Sequence, residues 1–179
     1  MSRFNVHRQV GVALLEVMIA VLVVSFGLLG VAALQVAGLK SNQTSQLRST
    51  VVAQANDMAD RMRANMMAVR TGKYDAVTNS VPTKPPCASP FTTAGGCNPT
   101  DMATYDAFAW QTANRSLLPG GGGTVTKGRI KNPGNCADDS VDPSGDFSIK
   151  VLWTEKCVPG EGSCTSGNVS RCFRTQFQP

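Results

Sequence analysis

The feature that most constrains the fold is a long apolar stretch between Val10 and Leu39, in which Glu16 is the only charged residue. Within it, Val17 to Leu34 supplies eighteen residues without a charge, and Val12 to Leu15 extends the apolar run on the N-terminal side. A helix crosses the hydrocarbon core of a bilayer with roughly 20 apolar residues. Charged residues, glycine and proline interrupt the rest of the chain, so the sequence predicts one transmembrane helix, over residues 12–39.

Two basic residues predict the orientation of this helix. Arg3 and Arg8 precede the apolar stretch, and no acidic residue accompanies them. Because basic flanking residues favour the cytoplasmic side of the membrane, we expect the N-terminus in the cytoplasm. Residues 40–179 are then expected to form an exported, periplasmic part anchored in the inner membrane.

All six cysteines lie in the part expected to be exported, where disulfides can form. The chain has no Cys-x-x-Cys pair, which favours disulfides over a zinc site. Six cysteines allow fifteen pairings. Proximity along the chain favours Cys87 with Cys97 and, across the last hairpin, Cys157 with Cys172, which leaves Cys136 for Cys164.

A helical pattern continues beyond the apolar stretch. Apolar residues recur there at spacings of three and four, which predicts an amphipathic helix over residues 40–70. The members of this stripe are Leu47, Val51, Ala55, Met58, Met62, Met66 and Val69. Because no proline occurs before Pro82 and Gly72 offers a stop, we expect nearly continuous helix from about Val12 to Val69.

The remaining residues predict a small α+β unit. Residues 82–99 have the composition of a surface loop, and a short helix over 101–118 is expected to be capped by Asp101 and stopped by Pro119. Phe147–Thr154 and Arg171–Phe177 alternate as strands do, and Thr124–Lys131 is a weaker third strand. The predicted fold is a long N-terminal helix packed on a small antiparallel sheet, over residues 124–177, with disulfide-linked loops.

Composition argues against an enzyme. The only histidine, His7, precedes the apolar stretch, so the exported part has no Ser-His or Cys-His nucleophile pair. Gly120 to Gly123 lacks the Lys-Ser/Thr of a phosphate loop and is interpreted as a flexible connection. We expect no catalytic residue, no cofactor and no resident metal.

Two charged clusters allow other interpretations. An acidic group could bind calcium, but its spacing misses the EF-hand pattern and its residue types are typical of turns, which we favour. Its members are Asp138, Asp139, Asp142 and Asp146. Lys127, Arg129 and Lys131 alternate on one strand face and could contact DNA phosphates, although a solvated face is the favoured interpretation. The formal net charge of +5 is too small to indicate that the protein binds nucleic acid.

The stretch Gly11-Val12-Ala13-Leu14-Leu15-Glu16-Val17 follows a basic leader and places one acid at the fifth residue after a glycine. It resembles the class III signal of type IV prepilins and of type II secretion pseudopilins. The resemblance implies that a prepilin peptidase removes residues 1–11, cutting between Gly11 and Val12, and methylates the new N-terminus at Val12. It also implies that Glu16 pairs with the positive N-terminus of a neighbouring subunit and so sets the register of assembly.

Later segments resemble the PilV family of minor pilins, the type IV pilus modification proteins. They are Ser25-Phe26-Gly27-Leu28-Leu29-Gly30, Leu34-Gln35, Leu117-Leu118-Pro119-Gly120-Gly121 and Val151-Leu152-Trp153. This resemblance implies a non-enzymatic subunit of a surface pilus used for twitching motility or attachment. Its implied partners are the prepilin peptidase, the major pilin, other minor pilins and the inner-membrane assembly machinery. A type II secretion pseudopilin and a DNA-binding competence pilin are the alternatives.

Overall fold

A computed structural model describes residues 10–85, 97–157, 164 and 167–179, with the side chains of residues 10–13 left undescribed. The chain divides into an N-terminal unit, Met1–Ser45, and a C-terminal unit, Gln46–Pro179. Helix α1, Val10–Ala64, contributes to both units. The C-terminal unit contains all the other helices and strands described below.

The helix predicted from Val12 to Val69 is confirmed except for one break at Asn65. The backbone of Asn65 leaves the helical region (φ −123°, ψ 54°), and helix α2 then runs over Met66–Arg70. The Asn65 side chain caps α2 by accepting a hydrogen bond from the Ala68 backbone N–H at 3.4 Å. Gly72, at φ +75°, follows the end of α2 and adopts a backbone conformation that other residues rarely accept.

Helix α3, Pro99–Leu117, begins two residues earlier than predicted. Its N-cap is Asn98 rather than Asp101, because the Asn98 side chain accepts a hydrogen bond from the Asp101 backbone N–H at 2.9 Å. Proline at the first helical position lacks an N–H that would otherwise need a partner there. Asp101 lies in the first turn, where its charge stabilises the helix, and Asn98 Nδ2 donates to its carboxylate at 2.7 Å.

The sheet has four antiparallel strands in the order β1-β2-β3-β4. They are β1, Ala76–Val77; β2, Gly122–Ile130; β3, Val141–Lys156; and β4, Asn168–Phe177. The three predicted strands are confirmed, and the register pairs Val125 with Ile149 and Val151 with Phe173. The structure adds β1, which is only two residues long, and extends β3 back through the acidic segment to Val141.

The interpretation of Gly120 to Gly123 as a flexible connection is wrong for its second half. Gly122 and Gly123 belong to β2, and both are buried. A Cβ atom on Gly123 would lie 2.3 Å from Trp110 Cη2, so glycine is required for the close approach of α3 to β2. Gly120, at φ +60°, forms the turn before the strand.

The hydrophobic core lies between the second half of α1, the helices α2 and α3, and one face of the sheet. The predicted stripe is confirmed as the helical side of this core, with Leu47 and Met66 partly buried and its other five members buried. The sheet side is formed by alternate residues of β3 together with residues of β2 and β4. These residues are Phe147, Ile149, Val151, Trp153, Val125 and Phe177.

Candidate functional site

The N-terminal unit presents a continuous apolar helical surface. From Leu14 to Leu39 the large hydrophobic side chains of α1 are all between 52% and 74% exposed. Monomeric soluble proteins rarely expose contiguous apolar patches larger than a few hundred Å². Among the described residues, α1 is the one helix that is long and apolar enough to cross a membrane, by length and composition alone. Such a surface needs lipid or other apolar surfaces to cover it.

Glu16 is the single charge on this surface. Its side chain is exposed, and within the described part of the chain its carboxylate forms neither an ion pair nor a hydrogen bond. Another polar side chain of the apolar run is satisfied locally, because Ser25 Oγ donates to the Val21 carbonyl at 2.6 Å. If the apolar surface is covered, Glu16 therefore requires a partner from outside this helix.

The expected cleavage site lies at the start of the described helix. Gly11 and Val12 are in α1, but the structure describes no side-chain surroundings for residues 10–13. The geometry therefore does not test the expected processing, which stays a prediction from the sequence.

A buried polar cluster fixes the break between α1 and α2. The Tyr74 hydroxyl donates to Asp106 Oδ2 at 2.5 Å, and Arg61 Nη1 reaches Asp106 Oδ1 at 3.3 Å. Asn65 Nδ2 donates to the Pro99 carbonyl at 2.8 Å and to the Tyr74 hydroxyl at 3.3 Å. Burial raises the pKa of the Asp106 carboxyl, although the hydrogen bonds from Tyr74 and Arg61 act in the opposite direction. The cluster joins α1 and α3 and has a structural role.

Two neighbouring residues of α3 connect it to α1 and to the sheet. Trp110 Nε1 donates to the Gln54 carbonyl of α1 at 2.8 Å. The fully buried Gln111 donates to the carbonyls of Thr78 and Gly123, both at 2.6 Å, and accepts from the Gly123 N–H at 3.2 Å. These bonds fix the position of α3 on β2.

The structure corrects two of the expected disulfides. Cys136 is bonded to Cys172, and Cys157 to Cys164, so the expected Cys157–Cys172 and Cys136–Cys164 pairs are wrong. The register explains the correction, because Cys172 lies opposite Leu152, five residues back along β3 from Cys157. Five strand residues span about 16 Å, whereas the Cα atoms of a disulfide lie within about 7 Å of each other.

The third expected pair joins Cys97 to Cys87. Cys97 is disulfide-bonded. Cys87 lies outside the described residues, so this pairing stays a prediction.

The Cys136–Cys172 disulfide attaches the β2–β3 connection to the outer face of the sheet. In that connection, Asp139 forms ion pairs with Lys150 at 2.6 Å and with Arg174 at 3.0 Å. Arg174 also donates to the carbonyls of Asp138 at 2.9 Å and Cys136 at 3.4 Å. The Lys150 and Arg174 side chains are only 6% and 5% exposed, so the connection covers two buried cations and supplies one carboxylate to both.

The three basic residues predicted on one strand face are each paired with an acid. Lys127 lies 3.4 Å from Asp75, Arg129 lies 3.3 Å from Asp146, and Lys131 lies 3.2 Å from Asp142. All three basic side chains are about half exposed or more. Their charges are locally balanced, which reduces the attraction that this face offers to a phosphate backbone.

The acidic residues considered for calcium contact other protein groups. Asp146 pairs with Arg129 of β2, Asp142 with Lys131 directly after β2, and Asp139 with basic residues of β3 and β4. Asp138 accepts hydrogen bonds from Asn132 Nδ2 and the Ser140 backbone N–H. Hydrogen bonds from the Ser140 side chain, the Asn132 side chain and the Ser140 backbone lower the pKa of Asp138 to about 2. Among the described residues, no group of three or more His, Cys, Asp or Glu is arranged to hold a metal.

Sequence reasoning missed the polar residues that organise the C-terminal unit. They are Asn65, Tyr74, Asp106, Gln111, Lys150 and Arg174. Their partners lie up to 45 residues apart in the chain, as for Arg61 and Asp106. No local spacing rule joins such pairs. The burial of Lys150, at an alternating position of β3, could not be predicted from the sequence, because lysine side chains are almost always exposed.

The comparisons with known proteins give one match. The model of the Tt1218-like family, described as type IV pilin Tt1218, matches residues 33–108. This segment runs from the apolar part of α1 into α3. No curated protein and no solved structure matches the chain.

The matched segment contains the stripe of α1 that packs in the core, and the strands that follow it complete the α+β fold expected of a pilin. Pilins as a family are structural proteins. The matched segment covers less than half of the chain, and both this segment and the fold are similar to those of type IV pilins.

Proposed function

We propose that the protein is a minor pilin of a type IV pilus, of the PilV type. In this proposal the chain is inserted in the inner membrane with its N-terminus in the cytoplasm and its C-terminal unit in the periplasm. A prepilin peptidase processes it, and the inner-membrane machinery assembles it with the major pilin and other minor pilins. It then contributes to priming or building a surface pilus for twitching motility or attachment.

The observation that carries the proposal is the exposed apolar surface of α1 with Glu16 as its one unpartnered charge. A charge in the middle of a membrane span costs roughly 2.5–3.5 kcal/mol. If neighbouring subunits cover this surface, the positive N-terminus of one subunit can compensate the carboxylate of the next. A subunit stacked out of register would then bury an unpaired charge, which is strongly unfavourable.

A type II secretion pseudopilin would use the same helix in the same way, and it remains the alternative in the superfamily. A DNA-binding competence pilin is less well supported, because Lys127, Arg129 and Lys131 are each paired with a carboxylate.

Glu16→Ala tests the proposed role of the acid in assembly. The variant removes a costly intramembrane charge, so it should insert in the membrane at least as well as the wild type. It should also fold, because Glu16 lies outside the core of the C-terminal unit. Without the charge pair it should enter pili poorly, with a decrease of about tenfold or more in the ratio of this subunit in sheared pili to that in the membrane.

Ser25→Ala is the matched control, since it removes an uncharged polar side chain of the same apolar run, and Ser25 is already satisfied by the Val21 carbonyl. Its ratio of pilus to membrane protein should equal that of the wild type. An unchanged ratio for Glu16→Ala at matched expression would reject the pairing mechanism.

Replacement of Gly11 by phenylalanine tests the processing. The peptidase should release Met1 to Gly11 from the wild-type chain and leave methylated Val12, whereas a bulky residue at position 11 should block cleavage. Intact-mass measurement should then show that the substituted protein keeps the mass of the eleven leader residues, which the processed wild-type protein has lost. Gly27→Ala is the control, because a Cβ at position 27 meets nothing within 4 Å. A wild-type protein that keeps its leader in a peptidase-competent cell would contradict this step.

A further inference from the structure

Strand β4 forms a long edge of the sheet. Among the described residues it pairs only with β3, through ten consecutive positions from Asn168 to Phe177. The opposite edge is β1, which has only two residues, and short edge strands are one of the ways in which proteins avoid unwanted pairing. A ten-residue edge lacks this protection and can accept another strand.

A groove opens beside this edge on the core face of the sheet. It has a volume of about 460 Å³ and lies between α1 and the ends of β3 and β4. Its apolar lining comes from Val51 and Val52 of α1, Trp153 of β3 and Phe173 of β4. Val52 is 40% exposed, and Phe173 is only partly buried although it packs against the core. We call this feature the β4 groove.

The rim of the β4 groove carries a positive charge. Arg48 and Arg171 both border it, and their side chains are 66% and 51% exposed. The acid beside them is Glu155, which lies 3.3 Å from Arg171 and 4.0 Å from Arg48. Glu155 is 10% exposed and also accepts a hydrogen bond from Trp153 Nε1 at 3.0 Å. Two arginines therefore share one largely buried carboxylate, and the exposed charge at the rim favours an acidic ligand.

We propose that β4 and the β4 groove bind an extended segment of a partner protein, which joins the sheet as a fifth strand. Addition of a strand to a sheet edge gains affinity from main-chain hydrogen bonds and specificity from pockets for alternate side chains. The partner segment places apolar side chains on Val52 and Phe173 and a carboxylate between Arg48 and Arg171. This inference holds whether or not the chain enters a pilus, because it uses only residues of the C-terminal unit.

The charge pattern disfavours a second copy of β4 as the occupant. The sequence of β4 contains Arg171 and Arg174 and no acidic residue. A second β4 paired antiparallel would carry its own Arg171 on the same face of the sheet as the rim of the groove and would offer that rim no carboxylate, and like charges across a strand pair are destabilising. An acidic segment of a different chain has no such conflict.

The test is binding of labelled peptides to the full-length protein in detergent micelles, measured by fluorescence anisotropy. The probe is a nonapeptide in which valine alternates with serine and one central valine is replaced by glutamate. A second peptide has lysine in place of the glutamate. Two further peptides keep the glutamate but carry N-methyl groups on alternate backbone nitrogens. In one peptide the serines are methylated, and in the other the remaining residues are. Each peptide therefore loses the backbone hydrogen-bond donors along one of its two edges and keeps those along the other edge.

The proposal expects the glutamate peptide to bind about tenfold or more tightly than the lysine peptide. Only one of the two N-methylated peptides should keep its affinity, since a strand presents one edge to β4. Val52→Lys should weaken binding of the glutamate peptide by about tenfold, because a charge replaces apolar contact in the groove. Met67→Lys is the matched control, at a methionine that is 63% exposed outside the groove, and should bind as the wild type does.

Absence of binding by the glutamate peptide would overturn the proposal. Equal affinity of the glutamate and lysine peptides, or equal affinity of the two N-methylated peptides, would also overturn it. If Val52→Lys does not fold, as judged by circular dichroism, the comparison among the four peptides on the wild-type protein still decides.

Discussion

Replacing Gly123 with alanine should lower the free energy of unfolding of the C-terminal unit by roughly 3 kcal/mol, near the upper end of the usual cost of overpacking. The added Cβ would lie 2.3 Å from Trp110 Cη2 and 2.7 Å from the Lys150 carbonyl oxygen. Neither neighbour can move easily. Trp110 is fully buried and bonded to Gln54, and the Lys150 carbonyl belongs to the central strand β3. The Gly123 backbone is itself held by Gln111.

Gly145→Ala is the matched control for this substitution. Gly145 also lies in a strand of the sheet, but a Cβ there meets nothing within 4 Å. Its effect should stay within about 0.5 kcal/mol. Urea unfolding of the full-length protein in detergent, followed by the fluorescence of its two tryptophans, measures both variants. Equal midpoints for the two would contradict the contact between Gly123 and Trp110.

Removing the Cys136–Cys172 disulfide should cost much more stability than removing Cys157–Cys164. The first closes a sequence separation of 36 residues and the second a separation of 7. In the chain-entropy model these loops correspond to about 4 and about 2 kcal/mol. The double variant Cys136→Ser with Cys172→Ser should therefore unfold at clearly lower urea than Cys157→Ser with Cys164→Ser.

A second effect adds to the loss at Cys136–Cys172. The connection that this disulfide attaches to the sheet supplies Asp139 to the buried cations Lys150 and Arg174. If the connection detaches, those cations lose their partner, and an uncompensated buried charge is strongly unfavourable. Equal losses of stability in the two double-serine variants would show that the connection does not stabilise the sheet in this way.

The sequence was sufficient for the parts of the fold that follow a period. The stripe from Leu47 to Val69 repeats every three or four residues because one side of α1 and α2 faces the core. The alternation from Phe147 to Trp153 is visible because only one face of β3 packs on the helices. The exposed run from Leu14 to Leu39 could be predicted without any period, because its large apolar residues lie on all sides of the helix.

The parts that the sequence could not predict depend on contacts between distant residues. Proximity along the chain suggested Cys157 with Cys172, but the β3–β4 register separates them by five strand positions. The burial of Lys150 depends on a connection that folds back over the sheet. Strand β1 is too short to show alternation, and Gly122 and Gly123 resemble a flexible linker until Trp110 is known to lie against them.

The candidate site also has one part that the sequence could predict and one part that it could not. The position of Glu16 in an apolar helix was evident from the sequence, and the structure adds that this side chain has no partner among the described residues. The β4 groove was not evident, because Arg48 and Val52 belong to α1 and Phe173 to β4, which are far apart in the chain. Residues on one helix can be grouped from sequence, whereas a groove between elements requires their register.

The most direct test of the central claim is to locate the wild-type chain in the cell by mass spectrometry of sheared, purified pili. The account predicts that the protein is present in the pili, at less than the level of the major pilin, with methylated Val12 at its N-terminus. It also predicts that the chain disappears from the sheared fraction when pilus assembly is blocked, while remaining in the inner membrane. A chain found only in the membrane, whose loss impairs protein secretion and leaves pili unchanged, would contradict the minor-pilin assignment and favour a secretion pseudopilin.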